Sequence, residues 1–257
     1  MEKIIYKNKE QFYNDINGIK RKDNPLKHIA IIPDGNRRWA GKKKLQPWQG
    51  HEKGVEALEK ILEESRNLKI PYITFWAGSS DNFKKRPKKE ISFLFRLYKE
   101  QFKRILQDKR IEREKVRVNV LGSWPEILPL STVKTIKRAI DKTKHYNNYF
   151  LTFLLGYNGT DEMLHCIKKI ARLSCHKRIK INGRLIKENL WTGSLPQVDL
   201  LIRTGVNNDP HMSAGFMMWQ TAYAQLYFSP TLFPDFDIKE FKNIIKDYSL
   251  RERRFGS

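Results

Sequence analysis

Five short β-branched or apolar runs recur along the chain, at residues 28–32, 72–76, 116–121, 149–155 and 198–203, with amphipathic stretches between them. Runs of this length, bounded by turn residues and separated by helical patterns, restrict a chain to strand–helix–strand alternation. The helical pattern is clearest where Val55, Leu58, Ile61 and Leu62 recur on one face while Glu56, Glu59 and Glu63 turn the other way. Phe93, Leu97, Phe102, Ile105 and Leu106 repeat it, as do residues 136–140 and 164–170. Strands that are apolar throughout are buried on both faces, which predicts a parallel sheet covered by helices. The chain therefore reads as α/β, with one domain over residues 28–257. A helical extension over 1–27 precedes it, its helix near 8–20.

In an open parallel sheet, ligands sit at the carboxyl ends of the strands, so the residues after each run carry the chemistry. Pro33-Asp34-Gly35-Asn36-Arg37-Arg38-Trp39 follows the first run and Ala77-Gly78-Ser79-Ser80-Asp81-Asn82 the second. Gly122-Ser123, Gly156-Tyr157-Asn158-Gly159 and Thr204-Gly205 follow the others. Such residues let backbone N–H groups approach an anion, and helices that begin there add favourable dipole ends. One such loop is ordinary turn chemistry. Several aimed at one edge point to a site that handles phosphate.

Charge agrees with this reading. The formal net charge is +22, and all but one unit of it falls in residues 1–200. A surface of that sign attracts nucleic acid, anionic lipid or phosphorylated small molecules. Most of the clusters, such as Lys42-Lys43-Lys44 and Lys84-Lys85-Arg86, read as solvated surface. Two cysteines without a CxxC pattern exclude a disulfide framework and a four-ligand zinc site. The N-terminus lacks the apolar stretch of a signal peptide, and the apolar run at 149–156 is far short of the roughly 20 residues that span a bilayer. A cytoplasmic protein is expected.

The segment HIAIIPDGNRRWA, from His28 to Ala40, closely resembles the signature of the cis-prenyltransferase family, which includes undecaprenyl diphosphate synthase. Further segments agree in order: Gly50-His51, Ser79-Ser80-Asp81-Asn82-Phe83 leading to Arg86-Pro87, DLLIRTG at 199–205, WQTAYA at 219–224, FPDF at 233–236 and RERRFG at 251–256. The resemblance implies a six-stranded, mainly parallel sheet flanked by helices, usually as a homodimer. It implies condensation of an allylic prenyl diphosphate with isopentenyl diphosphate, with Mg2+ and release of diphosphate. Asp34 would hold the metal, and Gly35, Asn36, Arg37 and Arg38 would cradle the allylic diphosphate. Trp39, His51, Ser79, Ser80, Asp81, Phe83 and Arg86 would line the substrate site. Asn82 would sit near the proton lost, and Arg203 and Ser213 would hold the second diphosphate. The apolar faces at 55–62 and 93–106 would wall a product tunnel. Taken alone, His51 is a satisfied structural histidine, Trp39 and Phe83 are core, and Asn82 is a helix cap.

The departures cluster on the second-substrate half. Gln225 stands where the family carries a Glu that helps bind Mg2+, and an amide lacks the charge that attracts a hard cation. Val206 follows Arg-Thr-Gly in place of a second Gly, and the segment 206–212 is longer than usual. His211 replaces the second Arg of the clamp, Pro47 stands near a position often held by Arg, and one residue is inserted between Asn82 and Arg86. Three readings stay open: ordinary elongation, a divergent condensation such as joining two allylic units, and a non-catalytic partner subunit. A nucleic-acid-binding protein is the remote alternative, since no loop favours base reading. The basic surface also suits contact with an anionic membrane.

Overall fold

The computed structural model describes residues 26–175 and 179–251. The helix expected near 8–20, the clusters Lys20-Arg21-Lys22 and His176-Lys177-Arg178, and most of the 251–256 motif lie outside these residues. In chain order the elements begin β1 (His28–Ile32), α1 (Asn36–Lys42), α2 (Pro47–Asn67), β2 (Tyr72–Gly78), α3 (Ser80–Lys85), α4 (Lys88–Gln107) and α5 (Lys109–Arg113). They continue β3 (Val116–Leu121), α6 (Trp124–Ile127), α7 (Leu130–Thr143), β4 (Tyr149–Leu155), α8 (Gly159–Ser174) and α9 (Gly183–Asn189). The chain then forms β5 (Leu200–Arg203), β6 (Gln225–Phe228), a 3-10 turn (Phe233–Asp235) and α10 (Ile238–Leu250).

All five apolar runs are strands. The sixth strand, β6, has no counterpart among them and follows only from the family resemblance. The sheet order is β3-β4-β2-β1-β5-β6, and every neighbouring pair is parallel. The fifth strand starts at Leu200, later than expected, although the backbone of Asp199 still bonds both neighbours, donating to the His28 carbonyl and accepting from the Gln225 N–H, each at 2.9 Å. Asp199 Oδ2 accepts from the backbone N–H of Lys27 and of His28 at 2.8 and 3.0 Å.

Both faces of the central strand are buried, as its composition requires. Ile29 and Ile31 pack against Ala57 and Ile61 of α2 and Phe241 and Ile244 of α10. Ala30 and Ile32 face the other way, onto Leu195, Leu201, Phe216 and Met217. A further cluster joins Val118 and Val120 of β3 to Phe102 of α4 and Ile136 of α7. From β1 the chain moves to one side for β2 and returns to the other for β5. That switch opens a crevice at the carboxyl end of β1, where the Asp34 loop begins.

His28 shows how completely the strand is enclosed. Its Nδ1 lies 3.1 Å from the carbonyl of Pro196, and a carbonyl only accepts, so Nδ1 carries the ring proton. Nε2 then accepts from the Thr74 hydroxyl at 2.8 Å. Burial lowers this imidazole to a pKa of about 4. The folded-state value is depressed, so the stability it supports is present above pH 6.5 and is lost as pH falls from 6.5 towards 4. The expected loss is ~3 kcal/mol. Urea titrations across that window are expected to show it, and His28→Gln is expected to flatten the slope by a similar amount. An unchanged slope in the variant contradicts the assignment.

Candidate active site

The loop after β1 is held rigidly from behind. The carbonyl of Asp34 accepts from the N–H of Phe233 at 3.0 Å and from the Thr204 hydroxyl at 2.9 Å. Gly35 turns the chain at φ 109°, and a Cβ there would lie 2.7 Å from Leu232 Cδ2. Across the crevice Gly205 sits at φ 67°, where a Cβ would lie 2.6 Å from Arg38 Nη2 and 2.8 Å from the Asp34 carbonyl oxygen. Both positions combine a left-handed conformation with close approach, so glycine alone fits.

Two guanidiniums claim the Asp34 carboxylate. Arg38 Nη2 lies 3.1 Å from Oδ1, and Arg203 Nη2 donates to Oδ2 at 2.9 Å. Arg203 also donates from Nη1 to the His211 carbonyl at 2.6 Å. Its Nε is buried without a hydrogen-bond partner. Arg203 is nearly enclosed, whereas Arg38 is about half exposed. Ser213 and His211 stand on the same side of the crevice and line the cavity described below. The His211 ring is half exposed and turns to Asp209.

A buried carboxylate organises the opposite wall. Glu90 of α4 is 2% exposed. It accepts from His51 Nε2 of α2 at 3.0 Å, and Arg86 Nη1 and Arg37 Nε lie 3.6 and 3.4 Å from its oxygens. Desolvation lowers the His51 pKa despite the hydrogen bond to Glu90, so the ring is neutral, with its proton on Nε2. Burial opposes ionisation of Glu90, yet His51, Arg86 and Arg37 together hold its carboxyl below the usual range. Sequence reasoning missed Glu90. Its signal was the i, i+4 spacing from Arg86, which the surrounding lysines disguise as a solvated charge run.

The second loop folds as a capping box. Ser79 Oγ accepts from the Asn82 N–H at 3.0 Å, and Asn82 Oδ1 accepts from the Ser79 N–H at 3.3 Å. Asn82 is thus a cap, as the residue type alone suggests, but Oδ1 also accepts from Arg86 Nη2 at 3.2 Å. The extra residue between them makes the spacing a full helical turn, which brings the two side chains together. Ser80 donates to the Gly156 carbonyl and to Asp161, tying this loop to the end of β4.

The expected lining residues separate into two groups. Asp34, Asn36, His51, Ser79, Asp81, Asn82, Arg86, Arg203 and Ser213 border one continuous cavity of about 1000 Å3. A vestibule of about 420 Å3 opens from it between Arg37, Arg38, Lys85 and Arg86. Trp39, Ser80 and Phe83 border neither. Trp39, on the buried side of α1, donates from Nε1 to Asp235 at 2.7 Å and packs on Leu232. Phe83 packs edge-on to Tyr98 and beside Phe95. Below the charged mouth, the large cavity runs between α2, α4 and the sheet. Val55, Leu58, Leu62, Leu94, Leu97 and Phe102 are among its walls, so the apolar faces expected at 55–62 and 93–106 enclose it.

The chain has counterparts among known proteins. The family model Prenyltransf, described as undecaprenyl diphosphate synthase, matches residues 32–256. The chain belongs to this family. It is 42% identical over 233 residues to the tritrans,polycis-undecaprenyl-diphosphate synthase (geranylgeranyl-diphosphate specific) of Pyrococcus horikoshii, covering 90% of this chain and 86% of that one. It is 37% identical over 230 residues to the isoprenyl transferase of Thermotoga maritima, covering 89% and 96%. Lavandulyl diphosphate synthase from Lavandula x intermedia, solved with dimethylallyl diphosphate, superposes with a TM-score of 0.83 at 28% identity over 90% of this chain and 98% of that one.

Within this undecaprenyl diphosphate synthase fold, one departure changes meaning. Gln225 begins β6, level with Leu200 and Ile29, whereas Asp34 lies beyond the other end of β1. The two stand at opposite edges of the sheet. The metal role that the resemblance attaches to position 225 therefore has no place in the site of a single chain. Pro47 takes the first position of α2, where a missing N–H costs nothing.

Proposed function

We propose that the protein elongates an allylic prenyl diphosphate, with geranylgeranyl diphosphate as primer, by cis addition of isopentenyl diphosphate. The observation that carries this reading is the junction of a cationic vestibule with a long apolar cavity: one holds a diphosphate, the other a growing hydrocarbon. The relative from Pyrococcus horikoshii supports the primer. Joining two short allylic units leaves most of a cavity of about 1000 Å3 unused.

In this reading Arg37, Arg38 and Arg86, with Gly35 and Asn36, receive the allylic diphosphate. The planar guanidinium fork suits that group. Arg203, with its unpaired buried Nε, and Ser213 hold the second diphosphate. The allylic C–O bond breaks, the double bond of the second substrate attacks the allylic carbon, and a proton leaves beside Asn82. His51 and Glu90 position the arginines, Ser79 and Asp81 shape the inner rim, and Ser80 anchors that loop to the end of β4. The apolar wall excludes water from the cation.

The donor set fits Mg2+ only in company. Among the described residues, no three of His, Cys, Asp and Glu converge. Mg2+ commonly takes one or two carboxylates plus substrate phosphates, which leaves Asp34 as the protein ligand. When bound, the ion neutralises charge on the departing diphosphate. Both Asp34 oxygens are tied to guanidiniums, and a diphosphate that draws those arginines away frees the carboxylate. Mn2+ titrations followed by electron paramagnetic resonance are therefore expected to tighten at least tenfold when inorganic diphosphate is added. Asp34→Ala is expected to abolish the gain; equal affinity with and without diphosphate contradicts the coupling.

A homodimer is part of this proposal, supported by the exposed Tyr223, Leu226 and Met218 at and near the β6 edge. So is a cytoplasmic protein in peripheral contact with anionic lipid, supported by the +22 charge. No helix among the described residues is long and apolar enough to cross a membrane. Nucleic acid has no part in it. Incubation with radiolabelled isopentenyl diphosphate, Mg2+ and a panel of allylic primers tests the proposal, and failure with every primer contradicts it.

A further inference from the structure

The charge of the protein is placed unevenly over its surface. α4 and α7 run side by side and parallel. The Thr132 hydroxyl donates to the Phe95 carbonyl at 3.5 Å and Lys142 Nζ to the Leu106 carbonyl at 2.8 Å, while Phe102 and Ile136 pack together on Val118 and Val120. The two helices hold ten Lys+Arg against three carboxylates, one of them the buried Glu90. Of the other two, Glu100 is paired with Lys103 and Asp141 with Lys144. α2, across the cavity, holds three Lys+Arg against five carboxylates.

The basic side chains of α4 and α7 share one outward surface. Lys89, Arg96 and Lys103 recur every seven residues along α4, two helical turns apart, and all three are exposed. Lys134, Lys137 and Arg138 are exposed on α7. Leu130 lies one turn before Lys134 on the same stripe and is 69% exposed. The inner side of α4 differs, since Leu94, Leu97 and Phe102 line the apolar cavity. A protein with charge gathered on one side meets an anionic surface in one orientation. Lysines around a protruding leucine are the chemistry of a peripheral lipid contact. Nucleic acid fits this face poorly: the rings of α4 are buried or half-buried, which leaves no aromatic platform for bases.

Resting on the peripheral-contact reading above, we infer that the outer face of α4 and α7 is the surface that docks on an anionic lipid bilayer, with Leu130 entering the headgroup region. The docked α4 then stands between the bilayer and the apolar cavity.

The test is flotation with vesicles of phosphatidylglycerol and phosphatidylcholine at physiological ionic strength. Lys134→Glu, Lys137→Glu and Arg138→Glu together are expected to lower the partition coefficient about tenfold or more. Lys168→Glu, Lys169→Glu and Arg172→Glu on α8 change the net charge equally. α8 is tied by Glu162 to Tyr157 and Thr192 on the other side of the sheet, so this triple is expected to cost less than about threefold. Leu130→Ser keeps every charge, is expected to cost about threefold, and tests the face independently should the reversed α7 fail to fold. Equal losses from the two triples, or unchanged binding by either folded α7 variant, overturn the docking face and leave the peripheral contact standing. Wild-type protein that ignores anionic vesicles, or that leaves them for single-stranded RNA, overturns that contact and this inference with it.

Discussion

Asp34→Ala is expected to lower turnover by about a thousandfold, the scale of losing a key electrostatic group from a preorganised site. The carboxylate is the meeting point of the two halves of the mouth, with Arg38 on one oxygen and Arg203 on the other. Without it the two cations repel, Arg203 loses a partner in a nearly closed site, and the proposed Mg2+ site loses its protein ligand. The backbone of the loop is held by Phe233 and Thr204 through the carbonyl, which the substitution leaves in place. Stability is therefore expected to fall by only ~1–2 kcal/mol. Asp34→Asn keeps the shape and one oxygen and is expected to recover less than tenfold. Steady-state turnover with parallel urea unfolding separates the two effects. An alanine variant that retains more than a tenth of wild-type turnover removes Asp34 from the reaction.

Glu90→Ala is expected to act through position. The carboxylate is enclosed and gathers His51, Arg86 and Arg37. Removing one partner of a buried charge network costs ~3 kcal/mol, at the low end of the usual range because Arg37 is exposed and rehydrates. The arginines it restrained then lose their common origin. KM for the allylic primer is expected to rise at least tenfold while KM for the second substrate changes less than threefold, since Arg203 and Ser213 lie across the crevice. Glu90→Gln keeps the acceptor for His51 and is expected to recover part of the primer affinity. Equal changes in both KM values contradict the positioning role.

The fold was legible because its strands are short, apolar on both faces and separated by amphipathic helices. His28–Ile32 and Tyr149–Leu155 announce themselves without tertiary information. β6 does not, because four residues at a sheet edge carry too little apolar pattern to register. The mouth was legible where function leaves ordered residue types in loops, as from Asp34 to Arg38. Glu90 was not, since a buried carboxylate on a lysine-rich helix differs from its solvated neighbours only by what it touches. Trp39 and Phe83 show the reverse case. Their residue type suggests core, and packing places them there, away from the cavity wall. Gln225 shows that sequence proximity to a motif says nothing about which edge of the sheet a side chain occupies.

The most direct test of the account is the lipid formed from geranylgeranyl diphosphate and radiolabelled isopentenyl diphosphate with Mg2+. A cis-polyprenyl diphosphate longer than the primer, with diphosphate released at each addition, is the result expected. No labelled lipid with any allylic primer, or a product made by joining two allylic units without isopentenyl diphosphate, contradicts it.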